Sequence, residues 1–363
     1  MSSALVRAAA RRSLATVRHV SVVDPDAADG LVADVYAQTD RDFGMLAPPV
    51  ALHSPSPPLL AASWLLLRES LLATGSADRS AKEAVATAVS QANACPYCVD
   101  VHGATLAALG GGLGAEAPLV DWARTSGNRD ACGPVPAPDG SAPELLAVAF
   151  TFQYLNRMVN VFLGASPLPP DVPRALRKHA LGWLGRRVGG SGRYLRAGDA
   201  LDLLPSAPLP RDLRWAAGRT PVAEALARAG AAIGAAGRRS VPDAVRDLVS
   251  AELRAWTGRP PGLSRAWVEP KVFDLPEPDR AAARLALLTA LASYQVDGSV
   301  VAAYRQSTVD DGALIDLTAW ASFAAARRIA RWVPLAVPGT ARSEKTTAFA
   351  ATDDGWQQIE PAA

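Results

Sequence analysis

Glu83, Cys95, Cys98 and His102 fall in one short segment with the pattern Glu-x11-Cys-Pro-Tyr-Cys-x3-His. Two cysteines three positions apart lie one turn apart on a helix, close enough to close a local disulfide. His102 follows Cys98 by four, on the same helical face, where an imidazole can take or hold a thiol proton and turn a weak nucleophile into a strong one. Glu83 precedes Cys98 by fifteen positions. On one straight helix it would lie ~22 Å away, too far to act. Pro96 changes that geometry. It lacks an N–H and clashes with a preceding turn, yet fits the first position of a new helix. One helix therefore ends near Asn93 and another starts at Cys95 and runs through Leu106. The first can fold back on the second and bring Glu83 to His102, as a carboxylate that orients the imidazole and exchanges protons with it. The cysteines then sit at a helix N-terminus, whose unpaired N–H groups and positive dipole end favour a thiolate.

The elements that must position this segment are helical. Leu59–Thr74, Ala81–Ala94, Pro143–Phe162, Ala223–Ala236, Val241–Trp256, Asp279–Ala292 and Leu314–Val333 carry apolar residues at three-to-four spacing and are dense in Ala, Leu and Arg. Alternating β-branched runs and Asn-Gly hairpin turns are nearly absent, so the expected class is all-α. A length of 363 residues suggests two domains. Pro- and Gly-rich pieces divide the chain into an N-terminal extension (1–23), a first helical block (24–163), a connector (164–215), a second helical block (216–340) and a C-terminal tail (341–363). Tyr97-Cys98-Val99-Asp100 resembles Tyr294-Gln295-Val296-Asp297, 197 residues later, and Phe152 with Arg157 resembles Phe323 with Arg328. The blocks read as a duplication. In that register Arg280, Ala292, Gln295 and Ser299 replace Glu83, Cys95, Cys98 and His102, which leaves the second block chemically dead.

Composition limits the partners. The 37 Lys and Arg against 35 Asp and Glu provide no general basic surface, which argues against nucleic acid. The local exception is Pro173–Arg196, with Arg174, Arg177, Lys178, Arg186, Arg187, Arg193 and Arg196. It reads first as a solvated basic arm and second as a docking surface for an acidic partner. No apolar run approaches the ~20 residues of a membrane span. The N-terminal MSSALVRAAARRSLATVRHV is acid-free and Arg-rich like a transit peptide, but its composition matches the rest of the chain. An amphipathic helix packed on the domain is the expectation there, and a cytoplasmic location for the protein. Three cysteines are an odd number, so a secreted disulfide scaffold is not expected, and Cys132 in its Pro- and Gly-rich loop reads as incidental.

The whole motif in its Ala-rich helical context resembles the AhpD-like alkylhydroperoxidase branch of the carboxymuconolactone decarboxylase superfamily. The resemblance extends to the lead-in Phe43-Gly44-Met45-Leu46-Ala47-Pro48-Pro49 and Leu52-His53-Ser54-Pro55, and the second block resembles the same fold without the motif. It implies a helical bundle and reduction of hydrogen peroxide or alkyl hydroperoxides without cofactor or metal. Cys98 would be the peroxidatic cysteine, Cys95 the resolving one, and Glu83 with His102 the proton relay. A dithiol reductant, protein or lipoyl-type, would complete the cycle. The chain departs from some family members at Tyr97, where they carry a second histidine. A duplicated chain could also fold as an internal pseudo-dimer, and homo-oligomerisation stays open.

Four other readings of the same residues stand beside this one. Cys-Pro-Tyr-Cys is also the glutaredoxin motif, but there it follows a β-strand, and Ala84–Ala94 reads as helix. Zinc could take Cys95, Cys98, His102 and Glu83, although no second Cys/His pair accompanies them. The cysteines could instead serve a thiol-disulfide oxidoreductase without peroxidase activity, or form a purely structural disulfide in a non-catalytic helical assembly module. Gly110-Gly111-Gly112 reads as a helix cap, the tryptophans as core, and His53 and His179 as structural or exposed. Reversible oxidation tests the pair directly. Mild oxidant should remove two hydrogens from the peptide spanning Cys95 and Cys98 in a mass spectrum, and pairing of Cys132 instead would exclude this arrangement.

Overall fold

A computed structural model describes residues 13–137, 140–169, 171–190 and 194–334. Residues 1–12 of the N-terminal extension, with most of the expected amphipathic helix, and the tail 341–363 lie outside the described residues. Among the described residues there is no strand, and the fold is all-α. The principal helices are α1 (Gly30–Phe43), α2 (Pro57–Leu67), α3 (Arg79–Ala92), α4 (Pro96–Ala108), α5 (Ala117–Thr125), α6 (Ala142–Phe162), α7 (Arg174–Gly189), α8 (Thr220–Ser240), α9 (Asp243–Ala255), α10 (Glu277–Ala292), α11 (Gly298–Arg305) and α12 (Asp311–Ala330). None is long and apolar enough to cross a membrane.

The seven helical segments read from apolar spacing are all present. α2 continues into a wider π turn at Arg68–Leu72, where Arg68 is buried between Asp42 and Glu69 (2.8 and 2.6 Å). α6 explains why the two blocks pack together. Of its 21 residues 18 are buried, so no face is left for solvent, and a helix covered all round must be central. One side packs on α3 and the other on α12, and α2 packs on α8. A single apolar core runs through residues of both blocks. At the 197-residue offset, α3 and α4 map to 276–289 and 293–305, where the structure has α10 and α11.

The basic connector is not the solvated arm that its charge suggests. Its residues 174–189 form α7, which lies along α4, the helix that carries the motif. Charge spacing hid a second pattern, because Leu184, Gly185 and Val188 make a narrow buried stripe on a helix otherwise coated with cations. Two glycines permit the approach. A Cβ at Gly185 would overlap the backbone of Ala104, and one at Gly189 would press on Thr105 and Leu109. Arg177 and the half-buried Asp100 attract each other across this contact. At the far end Arg187 Nε donates to the carbonyl of Gly44 (2.6 Å), a left-handed residue (φ +90°) that ends α1. Gly185→Val should therefore lift α7 from α4, with a loss of about 1–3 kcal/mol. Thermal melting should show the loss, and hydrogen exchange should show it concentrated in α7 and α4.

Candidate active site

The break between α3 and α4 is a complete helix-termination motif. Ala94 adopts the left-handed conformation (φ +50°), Ala94 N–H donates to the carbonyl of Gln91 (3.2 Å), and Cys95 N–H donates to that of Ser90 (3.0 Å). A non-glycine residue in this region costs about 1 kcal/mol or more, and the surroundings must hold it there. Cys95 then serves as the N-cap of α4, with Pro96 in the first turn. The chain doubles back, and α3 and α4 pack side by side.

Glu83 and His102 meet directly as a consequence. His102 Nδ1 lies 2.7 Å from Glu83 Oε2. The other carboxylate oxygen accepts both Nε and Nη2 of Arg79 (2.9 and 2.7 Å). Glu83 is completely buried. Burial raises its pKa, but Arg79 and His102 together outweigh burial and hold the carboxyl below its ordinary range. Glu83 is thus an anion inside the protein. Its bond fixes the His102 ring and leaves Nε2 facing away from the carboxylate. Phe152 of α6 braces the ring edge-on, with centroids 4.6 Å apart.

The two sulfurs are 2.7 Å apart, and both cysteines are free and buried. Cys98 and His102 line one cavity of about 60 Å³, room for a few water-sized groups. Phe43, Met45, Leu67, Phe152, Leu155 and Val159 give it an apolar wall, and α7 closes it with Leu184 and Val188. Cys95 is not part of the lining. Tyr97 is, and burial pushes its phenol far above its ordinary value, so it faces the cavity as a neutral group.

One expectation is corrected in part. Spacing made His102 the hydrogen-bond partner of Cys98, but among the described residues no hydrogen bond joins them, because the ring is drawn to Glu83. The Cys98 thiol also departs from the thiolate expected at a helix start. Burial pushes its pKa well up, contact with Cys95 adds to the rise, and the polar Asn156 side chain opposes it. Asn156 was not singled out in the sequence. Nor was Arg79, although a cation four residues before Glu83 is a readable helical pair. Cys132 lies apart, its sulfur toward the carbonyl of Gly133. His53 is fully buried, bonded to Val50 and Tyr154 away from the cavity, and held neutral with a pKa of about 4 by burial. Among the described residues no group of three or more His, Cys, Asp and Glu side chains could hold a metal ion.

The structure is an all-helical bundle in which Cys98 and a carboxylate-held imidazole line one apolar cavity, with Cys95 in contact with Cys98 behind it. The family model for the carboxymuconolactone decarboxylase family matches residues 58–116, which contain all four motif positions. The chain is 38% identical over 353 residues to alkyl hydroperoxide reductase Rv2159c of Mycobacterium tuberculosis (strain ATCC 25618 / H37Rv), an alignment that covers 91% of this chain and 99% of the relative. The chain belongs to the carboxymuconolactone decarboxylase family. No solved structure matches it.

Removing the Glu83 charge should expose its structural weight. Glu83→Gln strands Arg79 and His102 and should cost about 3 kcal/mol at neutral pH. Because the folded-state pKa of Glu83 is lowered, its stabilisation is complete above the ordinary glutamate value of 4.5 and is lost as pH falls through the folded value. Denaturant melts of both proteins across pH should show the gap closing only in acid.

Proposed function

We propose that the protein is a thiol-dependent peroxidase that reduces alkyl hydroperoxides, and hydrogen peroxide less well, by a Cys95/Cys98 dithiol–disulfide cycle with Glu83 and His102 as proton relay. The observation that carries this reading is the shared cavity, which exposes Cys98 and His102 to one small enclosed volume while Glu83 holds the imidazole from behind. The name of the relative, alkyl hydroperoxide reductase, points to the same chemistry.

The cycle follows from the positions. The Cys98 thiolate attacks the outer peroxide oxygen; an S–O bond forms as the O–O bond breaks. His102 delivers a proton to the departing alkoxide, which leaves as the alcohol, and Glu83 stabilises each charge state of the ring. Cys98 is then a sulfenic acid. Cys95, in contact with it and shielded from the cavity, attacks the Cys98 sulfur and releases water. An external dithiol returns two electrons and two protons to the disulfide. The apolar wall favours a compact alkyl or aryl substituent over the strongly hydrated hydrogen peroxide. Both cysteines are nearly inaccessible, at 1% and 4% exposure, which disfavours a general oxidoreductase acting on protein disulfides.

The described part of the second block, residues 216–334, fits a degenerate second copy of the fold in this reading. The coincidence of α10 and α11 with the shifted positions of α3 and α4 supports it, as do the pairings of α2 with α8 and of α6 with α12.

Single-turnover kinetics with tert-butyl or cumene hydroperoxide test the roles. Cys98→Ser should abolish alcohol formation. Cys95→Ser should give one equivalent of alcohol and a trapped sulfenic acid. His102→Ala should slow the first turnover ~10²–10⁴-fold. A first turnover that survives in Cys98→Ser and is lost in Cys95→Ser would reverse the assignment.

A further inference from the structure

A cation buried in a protein is ordinarily paired with an anion, because an uncompensated charge there is costly. Arg157 departs from that rule. It is 5% exposed on the central helix α6, and among the described residues no carboxylate pairs with it. Its Nε donates to the carbonyl of Ala290 (2.9 Å), and its Nη1 donates to the carbonyl and the side-chain oxygen of Gln153 (2.6 and 2.8 Å). Nη2 makes no hydrogen bond among the described residues. The Trp256 ring lies 6.0 Å from the guanidinium carbon, a cation–π contact that brings no negative charge. Burial lowers the Arg157 pKa only to about 10, so the group is charged at neutral pH.

Gln153 adds to the excess of donors. Its Oε1 accepts from Arg157, which leaves Nε2 buried and without a hydrogen-bond partner. Exchanging the two ends of the amide gives no relief, because its nitrogen would then face a cationic donor. Nε2 lies within roughly 5.4 Å of Nη1, the reach of a 2.8 Å hydrogen bond plus the two bonds of the amide carbon. Half-buried Gly127, just after α5, stands beside this nitrogen, and a Cβ there would come within 3.2 Å of it. The space next to the amide thus depends on a residue without a side chain. Asp130, three residues on, is engaged by Arg129 and Arg259 (3.6 and 3.0 Å). Trp332, packed on Trp256 with centroids 5.6 Å apart, brings another buried N–H without an acceptor.

We propose that Gln153 and Arg157 form a binding site for a small planar oxyanion of the size of formate or nitrate, entered beside Gly127 and distinct from the thiol cavity. Two oxygens of such an ion can accept from Gln153 Nε2 and Arg157 Nη2 together, while its charge neutralises the guanidinium. At 3.6 residues per turn these two side chains project about 145° round α6 from Phe152, Leu155 and Val159, which line the cavity. The ion therefore does not compete with a substrate held there. It sits where Arg157 grips the carbonyl of Ala290 in the second block, and so reinforces the seam between the blocks.

Binding is read as thermal stabilisation of the full chain. Melting temperatures are measured in rising sodium formate and sodium nitrate, with ionic strength held constant by gluconate, an anion too bulky for the site. A ligand at about a hundredfold its dissociation constant should raise the melting temperature of a chain of this size by roughly 3 °C, along a saturating curve. Gln153→Glu sets a carboxylate against the guanidinium from within. In gluconate it should melt at or above the parent, and it should no longer respond to formate or nitrate. Gly127→Ala narrows the space beside the amide and should move half-saturation several-fold higher, and it serves if the glutamate variant does not fold. A parent that melts at the same temperature in gluconate, formate and nitrate would overturn the proposal. So would a full, unshifted rise in either folded variant, which would mark a general salt effect.

Discussion

The left-handed turn at Ala94, followed by Pro96, is the constraint on which the site depends. A continuous helix from Arg79 to Ala108 would place Glu83 and His102 about five turns apart. The break closes that distance to a hydrogen bond of 2.7 Å and puts both sulfurs at the junction. The turn uses an alanine where glycine is preferred, so its conformation is imposed from outside. Hydrogen bonds that Asn93 and Ser90 make with the α6 asparagines tie the turn to α6.

Buried charge is the second feature. Glu83 bears an anion with no solvent contact, sustained by one arginine and one imidazole. Such a group is costly to bury and costly to unpair, which makes it a rigid fixture. Rigidity suits its place. The imidazole it holds keeps one pose, with the same ring nitrogen turned away from the carboxylate, where a ring free to rotate would divide its time among several.

The rest of the chain serves enclosure. α7 shuts the cavity with two aliphatic side chains and keeps its cations outward, so a stretch with the composition of a linker becomes a wall. The second block supplies α12 to cover the far side of α6, and Arg157 Nε reaches the carbonyl of Ala290 (2.9 Å) to lock the two together. A central helix buried on all sides gives the asparagine ladder a fixed platform. That is a physical use for a block without cysteines.

Sequence alone determined the helical class, the seven main apolar helices, the break at Pro96 and the meeting of Glu83 with His102. Each follows from local rules: apolar period, a missing N–H, and the fixed rise of a helix. It did not determine what the thiol would meet. His102 is four residues from Cys98 and on its face, yet the ring turns to a carboxylate nineteen residues back, because a buried anion outbids a thiol. Asn156 lies sixty-three positions from Asn93 on an apolar helix, where two asparagines one turn apart were the sole trace of their bonds to the α3–α4 turn. α7 carried its charge in plain view and its packing in three residues. These outcomes are set by competition among partners that the chain brings together only on folding, and no spacing rule ranks partners from different helices.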